Sequence, residues 1–257
     1  MKKEFGQNFL TNNYIISKII ESAGIKENSI VYEVGSGEGV LTKEIIQKNP
    51  RKFISIEIDS SLKKKLEIFF KNPNYELIFT DALNFNENSY FESDVIIISN
   101  LPYNISLKLL LKWIFQYAKN KWIHSMILMF QKEVAERILS ESNSKKFGRI
   151  TLLVSAFFNV NKIIDVDKKN FYPTPKVDST VLKFTPLNNP LFDFTNINKL
   201  EFLSKKFFAN KRKKLKNKIE VIFDKNIIEQ EKLDKFFNLR AENLDKKTYF
   251  YLANLLK

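Results

Sequence analysis

The chain has 257 residues, no cysteine and one histidine, so disulfide scaffolds, thiol nucleophiles, thiolate metal sites and His-rich metal clusters are all excluded. At 44% hydrophobic, 28% charged and 14% aromatic it has the composition of a folded globular protein, with no apolar run of the roughly 18 to 20 residues that a bilayer-spanning helix needs. Forty-two basic residues against 29 acidic ones give a net charge of +13, which suits a polyanionic partner. No hydrophobic segment follows Met1-Lys2-Lys3-Glu4-Phe5-Gly6 to act as a signal, so a cytoplasmic location is expected.

In chain order, short apolar runs alternate with amphipathic ones, as in an α/β sheet. Residues 29–34, 52–58, 75–80, 93–99 and 122–130 read as strands rich in Val, Ile and Phe, the uninterrupted pattern of buried parallel strands. Residues 40–48, 60–70 and 106–117 carry the helical spacing, with Ser60 and Ser106 as expected N-caps. Two further strands are expected at 150–158 and 177–184. The breaker-rich stretch Pro186, Asn188, Asn189, Pro190 then marks a boundary, dividing an α/β domain of residues 1–185 from a helical domain of 186–257. That second stretch carries 16 Lys+Arg against 9 Asp+Glu, and Lys211, Arg212, Lys213 and Lys214 lie in a run of cations with no acid between them. Such a run binds phosphates, or else forms an ordinary solvated helix face in a Lys-rich chain.

The first strand ends in Glu33-Val34-Gly35-Ser36-Gly37-Glu38-Gly39, which places bare backbone at a strand-to-helix turn where a nucleotide can approach. Its G-x-G-x-G spacing departs from the G-x-G-x-x-G dinucleotide fingerprint and disfavours hydride chemistry. Glu57 ends the second strand, where a carboxylate meets a ribose diol, and Asp81 follows the third, within reach of an adenine amine. The row matches the length of an adenosyl ligand.

After the fourth strand comes Asn100-Leu101-Pro102-Tyr103. An aromatic amine is a poor nucleophile because its lone pair is delocalised into the ring. Two acceptors, the Asn100 side-chain oxygen and the Leu101 carbonyl, would hold such a nitrogen in line with a methyl group, and Tyr103 offers a face on which an extruded base can stack. Phe171, ahead of Tyr172-Pro173-Thr174-Pro175, sits on a segment that two prolines stiffen, which keeps its ring available; core packing is the alternative for one Phe among 24. His124, within an apolar strand, is expected to be structural.

These segments, with Phe5-Gly6-Gln7-Asn8-Phe9-Leu10, Gln131-Lys132-Glu133-Val134, residues 171–179 and Leu239-Arg240-Ala241-Glu242-Asn243, resemble the KsgA family of rRNA adenine dimethyltransferases along nearly the whole chain. The resemblance implies a Rossmann-like class I methyltransferase domain with a mostly parallel sheet, a small all-α C-terminal domain, and S-adenosylmethionine as cofactor, with no metal. It implies dimethylation at N6 of two adjacent adenosines in the 3′-terminal hairpin of small-subunit rRNA, late in assembly of the small ribosomal subunit; a monomer is expected. Asn8 and Leu10 would touch the cofactor, Gly35 and Gly37 its methionine portion, Glu57 the ribose and Asp81 the adenine; Asn100 and Tyr103 would hold the target base, with Phe171 on its other face. The family's loop usually reads Gly-Pro-Gly or Gly-Ala-Gly, whereas Ser36 intervenes here. With Phe5 so near the start, a basic leader is expected to be missing. Two rivals share the fold: an Erm-type enzyme acting on large-subunit rRNA, which the motifs disfavour, and a non-catalytic assembly or transcription factor, against which the intact Glu57, Asp81, Asn100 and Tyr103 argue.

Overall fold

The computed structural model describes residues 8–256, so Phe5, Gly6 and Gln7 of the N-terminal motif lie outside the described residues. The chain forms two compact units. The first holds the chain up to Ala135 and then Asn159–Pro186; the second holds Glu136–Phe158 and the described chain from Leu187 on.

In the first unit, β1 (Phe9–Leu10) leads into α1 (Asn13–Ala23), followed by β2 (Ile30–Val34), α2 (Val40–Ile46), β3 (Lys52–Glu57), α3 (Lys63–Leu66), β4 (Tyr75–Phe79), β5 (Val95–Ser99), α4 (Ser106–Asn120) and β6 (Ile123–Gln131); α5 (Lys132–Ile138) begins in the first unit and ends in the second. The chain then runs through α6 (Arg149–Ser155) to β7 (Phe158–Val166), β8 (Phe171–Tyr172) and β9 (Ser179–Pro186). Seven strands make one sheet in the order β4-β3-β2-β5-β6-β9-β7, while β1 and β8 pair separately as a two-stranded antiparallel ribbon. From β4 to β6 every pairing is parallel, and β9 runs antiparallel to β6. Parallel strands covered on both faces have no solvated side, which is why Val95–Ser99 reads as an unbroken buried run. One core face packs Val31, Phe53, Ile96, Ile98, Ile127 and Met129 against Leu41 and Ile45 of α2 and Ile15, Ile16, Ile19 and Ile20 of α1. Asn12 starts α1 by accepting from the Tyr14 and Ile15 amides.

Four sequence expectations change. Of residues 150–158, 150–155 lie in α6 rather than a strand: Thr151, Leu152, Leu153 and Val154 are buried in succession, and a run buried all round suits a helix as well as a strand. The strand that follows is β7. Residues 60–70 are not one helix but a four-residue α-turn between two 3-10 turns, because Leu66 is the one buried anchor in that stretch. Neither serine caps. The Asp59 carboxylate accepts from the Ser61 amide, and Ser106 instead donates its hydroxyl to the Tyr103 carbonyl. His124 is exposed on β6 rather than built into the core.

The second unit is helical, with α7 (Ile197–Phe208), α8 (Lys216–Ile222), α9 (Lys225–Gln230) and α10 (Lys246–Asn254). The chain passes between the units after Ala135, after Phe158 and after Pro186, so residues 136–158, assigned by sequence to the first domain, belong here. The reason is aromatic packing. Phe147 lies 6.0 Å from Phe208 and 6.3 Å from Tyr249, Phe208 stacks on Tyr249 at 5.8 Å, and Phe207 meets Tyr249 edge-on at 5.9 Å. Arg149 pairs with Glu201 at 2.6 Å and the buried Tyr249 hydroxyl donates to the Ala241 carbonyl at 2.7 Å. Phe147→Ala should therefore cost about 3–5 kcal/mol of stability. Amide hydrogen exchange should show α7 and α10 losing protection while β2 to β6 keep theirs; loss confined to the sheet would contradict this assignment.

Candidate active site

The carboxyl ends of β2, β3, β4 and β5 open onto a cavity of about 280 Å³ lined by Asn8 to Leu10, residues 33–38, Glu57, Asp81 to Leu83 and Asn100 to Ile105. Asn8, Leu10, Gly35, Gly37, Glu57, Asp81, Asn100, Leu101 and Tyr103, all expected at the site from sequence, thus share one wall system. Phe171 does not.

The turn after β2 is built from glycines at positive φ, with Gly37 at +54°. A Cβ added to Gly37 would lie 2.7 Å from a Phe9 ring carbon, so the absent side chain is what lets β1 lie across the turn. Glu57 closes the turn from the other side. Its buried carboxylate accepts from the Gly37 amide at 2.8 Å with one oxygen and from the Ile58 and Asp59 amides at 2.9 Å each with the other. An ionised carboxylate has about four acceptor positions, so capacity for a ribose hydroxyl remains. Ser36, the departure from the family's usual loop, is buried and its hydroxyl shares a 2.6 Å hydrogen bond with Ser55.

Beneath this turn Glu33 is buried, and burial pushes its carboxyl up to about 7 despite hydrogen bonds from Thr42 at 2.6 Å and Ser55 at 3.0 Å. Both land on one oxygen. The other, Oε1, is buried with no hydrogen-bond partner, and Glu33 is one of the residues that line the cavity. Sequence reasoning passed over Glu33, although it heads the glycine motif; that strand-end position was the available signal. The orphaned oxygen, the bare glycine turn and the carboxylates of Glu57 and Asp81 around one cavity fit an adenosyl cofactor with a cationic amino-acid end.

Asp81 accepts from the Leu83 amide at 2.9 Å, which folds the turn after β4 into the cavity wall. At the opposite end, Asn100 donates its Nδ2 to the Asn8 carbonyl at 2.9 Å. That bond fixes which way the amide points and leaves Oδ1 as its acceptor end. Leu101 is buried, and the Tyr103 hydroxyl shares a 2.6 Å hydrogen bond with Ser179 of β9, which fixes the half-buried ring. Burial raises the Tyr103 phenol above its ordinary value.

Two expectations are corrected here. Phe171 pairs with Leu10 across the β1–β8 ribbon, and both are in the hydrophobic core; Phe171 is only 3% exposed, so its ring is not available for stacking. Proline stiffness fixes a segment without deciding which face it turns outward. Lys211 is likewise occupied: its ammonium donates to the Phe147 carbonyl at 2.9 Å and to the Lys145 carbonyl, and pairs with Glu242 at 3.2 Å. It holds the second unit together. Arg212, Lys213 and Lys214 are exposed, Lys214 donating to Asn238 at 3.0 Å. Among the described residues no group of three or more His, Asp or Glu side chains is arranged to hold a metal ion, and no helix is long and apolar enough to cross a membrane.

The model of the family described as "Ribosomal RNA adenine dimethylase" matches residues 1–257. A "Ribosomal RNA small subunit methyltransferase A" from Pelagibacter ubique is 39% identical over 252 residues, covering 98% of this chain and 95% of the relative. The protein of the same name from Borrelia garinii is 40% identical over 259 residues, covering 99% and 88%. Among solved structures, a dimethyladenosine transferase from Plasmodium falciparum superposes with a TM-score of 0.78 at 30% identity over 95% of each chain. The 23S rRNA methyltransferase ErmE superposes at 0.72 over 97% of this chain and 99% of its own, but at 23% identity, a likeness of fold. With a family match along its full length and relatives near 40% identity, the chain belongs to the ribosomal RNA adenine dimethylase family of class I methyltransferases.

Proposed function

We propose that this protein uses S-adenosylmethionine to dimethylate the N6 of two adjacent adenosines in the 3′-terminal hairpin of small-subunit rRNA, working in the cytoplasm on the assembling small ribosomal subunit. The observation that carries the reading is the Asn100 corner: with Nδ2 held by the Asn8 carbonyl, the amide presents an acceptor beside the cavity rather than a donor. An adenine amine is recognised by acceptors. The names of the relatives near 40% identity favour a small-subunit substrate over the Erm-type alternative.

The bound cofactor supplies an electrophilic methyl carbon on a positively charged sulfur. Gly35, Gly37 and the Glu33 oxygen would receive its methionine end, Glu57 its ribose and Asp81 its adenine amine, with Asn8 and Leu10 lying over it from β1. Asn100 Oδ1 and the Leu101 carbonyl would accept the two N–H bonds of the target amine, draw the nitrogen toward pyramidal geometry and aim its lone pair at the cavity. Tyr103, held by Ser179, would stack on the extruded base. No base is needed before attack, because the N–H becomes acidic as the nitrogen gains positive charge, and the proton leaves afterwards to solvent. The exposed cations of the second unit would neutralise phosphates.

Asn100→Ala should raise the methyl-transfer barrier by about 2–4 kcal/mol while leaving RNA affinity near normal, as read by labelled methyl transfer to under-methylated small subunits and by a parallel filter-binding titration. A collapse of RNA binding with chemistry intact would remove Asn100 from the reacting centre. Replacing Arg212, Lys213 and Lys214 with Gln should do the reverse, weakening RNA binding and flattening its salt dependence by roughly one unit of slope for each phosphate no longer neutralised. Lys211→Met should instead lower the melting temperature, since it breaks carbonyl and carboxylate bonds within the unit; a salt slope unmoved by the triple change would take this loop off the RNA.

A further inference from the structure

Glu87 is fully buried outside the cavity, in the turn between β4 and β5, and four side chains converge on it. Trp113 donates its ring N–H at 2.8 Å, Gln116 its amide at 2.9 Å, Tyr32 its hydroxyl at 3.4 Å, and Lys112 its ammonium at 2.8 Å. Burial, with Glu87 adding to it, pushes the Tyr32 phenol well above its usual value, so it stays a donor. Lys112, Trp113 and Gln116 all stand on α4, the helix that begins directly after Asn100 to Ile105.

An ammonium has three hydrogens. One goes to Glu87; the others go to backbone carbonyls, Ala82 at 2.6 Å and Phe85. Ala82 and its neighbours Asp81 and Leu83 line the cavity. The same turn is closed on its inner side by Asp81, whose carbonyl accepts from the Asn84 amide at 2.9 Å and the Phe85 amide at 3.2 Å. Lys112 therefore holds the turn that carries Asp81 from the helix that follows the target-base corner. Neither Asp81 nor that corner is touched by the ammonium itself.

We propose that Lys112, neutralised by Glu87, is a positioning residue for cofactor binding: it sets the Asp81–Phe85 turn against α4, so that Asp81 is held where it meets the adenine end of the cofactor. A buried ion pair chosen for stability alone would be replaceable by apolar groups of the same volume. This pair spends two of three ammonium hydrogens on loop carbonyls, which an apolar substitute cannot hold. The inference rests on the cofactor occupying the cavity as proposed above.

The test uses the full chain and S-adenosylhomocysteine as probe, by titration calorimetry, with melting temperature and steady-state kinetics alongside. Lys112→Met should weaken binding of the probe about 10- to 100-fold, the range for losing charge-assisted hydrogen bonds, and raise KM for S-adenosylmethionine with kcat at saturating cofactor and RNA affinity changed far less. Because Lys112→Met strands a buried carboxylate, the double variant Lys112→Met with Glu87→Gln is made beside it. Removing the stranded charge should restore the melting temperature and leave probe affinity weak. Recovery of affinity together with melting temperature, or wild-type affinity in Lys112→Met, would overturn the inference. If the unaltered chain fails to bind the probe, the cofactor assignment itself falls, an outcome that involves neither variant.

Discussion

The Glu57 carboxylate lies buried between the glycine turn and the end of β3, gathering the Gly37, Ile58 and Asp59 amides onto its two oxygens. The buried Gly37 and Asp59 amides would otherwise be unsatisfied donors at strand ends, which costs more than a hydrogen bond gains. Because the Gly37 amide belongs to the turn after β2 and the other two to the turn after β3, one side chain ties neighbouring strand ends into a common edge. The cavity wall follows from that edge. Phe9 can lie on Gly37 only because the turn is held where no Cβ intervenes, and Asn100 finds the Asn8 carbonyl only because β1 lies there.

The parallel sheet was legible because buried parallel strands leave continuous Val and Ile runs, and the strand-end positions of Gly35, Glu57, Asp81 and Asn100 follow from the order of those strands. What was not legible shares a physical cause: sequence spacing records residue type and period but not the partner. Residues 150–158 are apolar on every side, so no period separates strand from helix, and their membership of the second unit is decided by ring packing of Phe147 with residues about 60 and 100 positions away. Phe171 and Tyr172 are adjacent aromatics on one stiff segment; pairing with β1 buries the first and leaves the second 63% exposed, an outcome that depends on register alone. Lys211 looks like its neighbours until Glu242 and two carbonyls are brought to it. Glu87 was invisible because nothing in its surrounding sequence distinguishes a buried acid from a surface one.

The two units differ in material as well as in position in the chain. The first relies on strand ends and buried carboxylates, features that hold atoms at fixed places. The second is an aromatic cluster within short helices, with Arg212, Lys213 and Lys214 on an exposed connection between α7 and α8. Under the proposed function the first kind of construction would serve the reacting centre, whereas attraction to a phosphate chain would need only charge at the end of flexible stems.

Ser36 gives the glycine turn a lateral tether that a proline or alanine at that place lacks. Its hydroxyl meets Ser55, Ser55 meets Glu33, and Thr42 meets the same Glu33 oxygen, so three hydroxyl groups and one acid form a chain under the turn. A proton network of that kind makes its members interdependent: replacing Ser36 frees Ser55 to turn wholly toward Glu33, and replacing Ser55 leaves Ser36 stranded. The effect of either exchange is thus set by which residue occupies the other position, and loop sequences borrowed from relatives would transplant into this chain only in matched pairs.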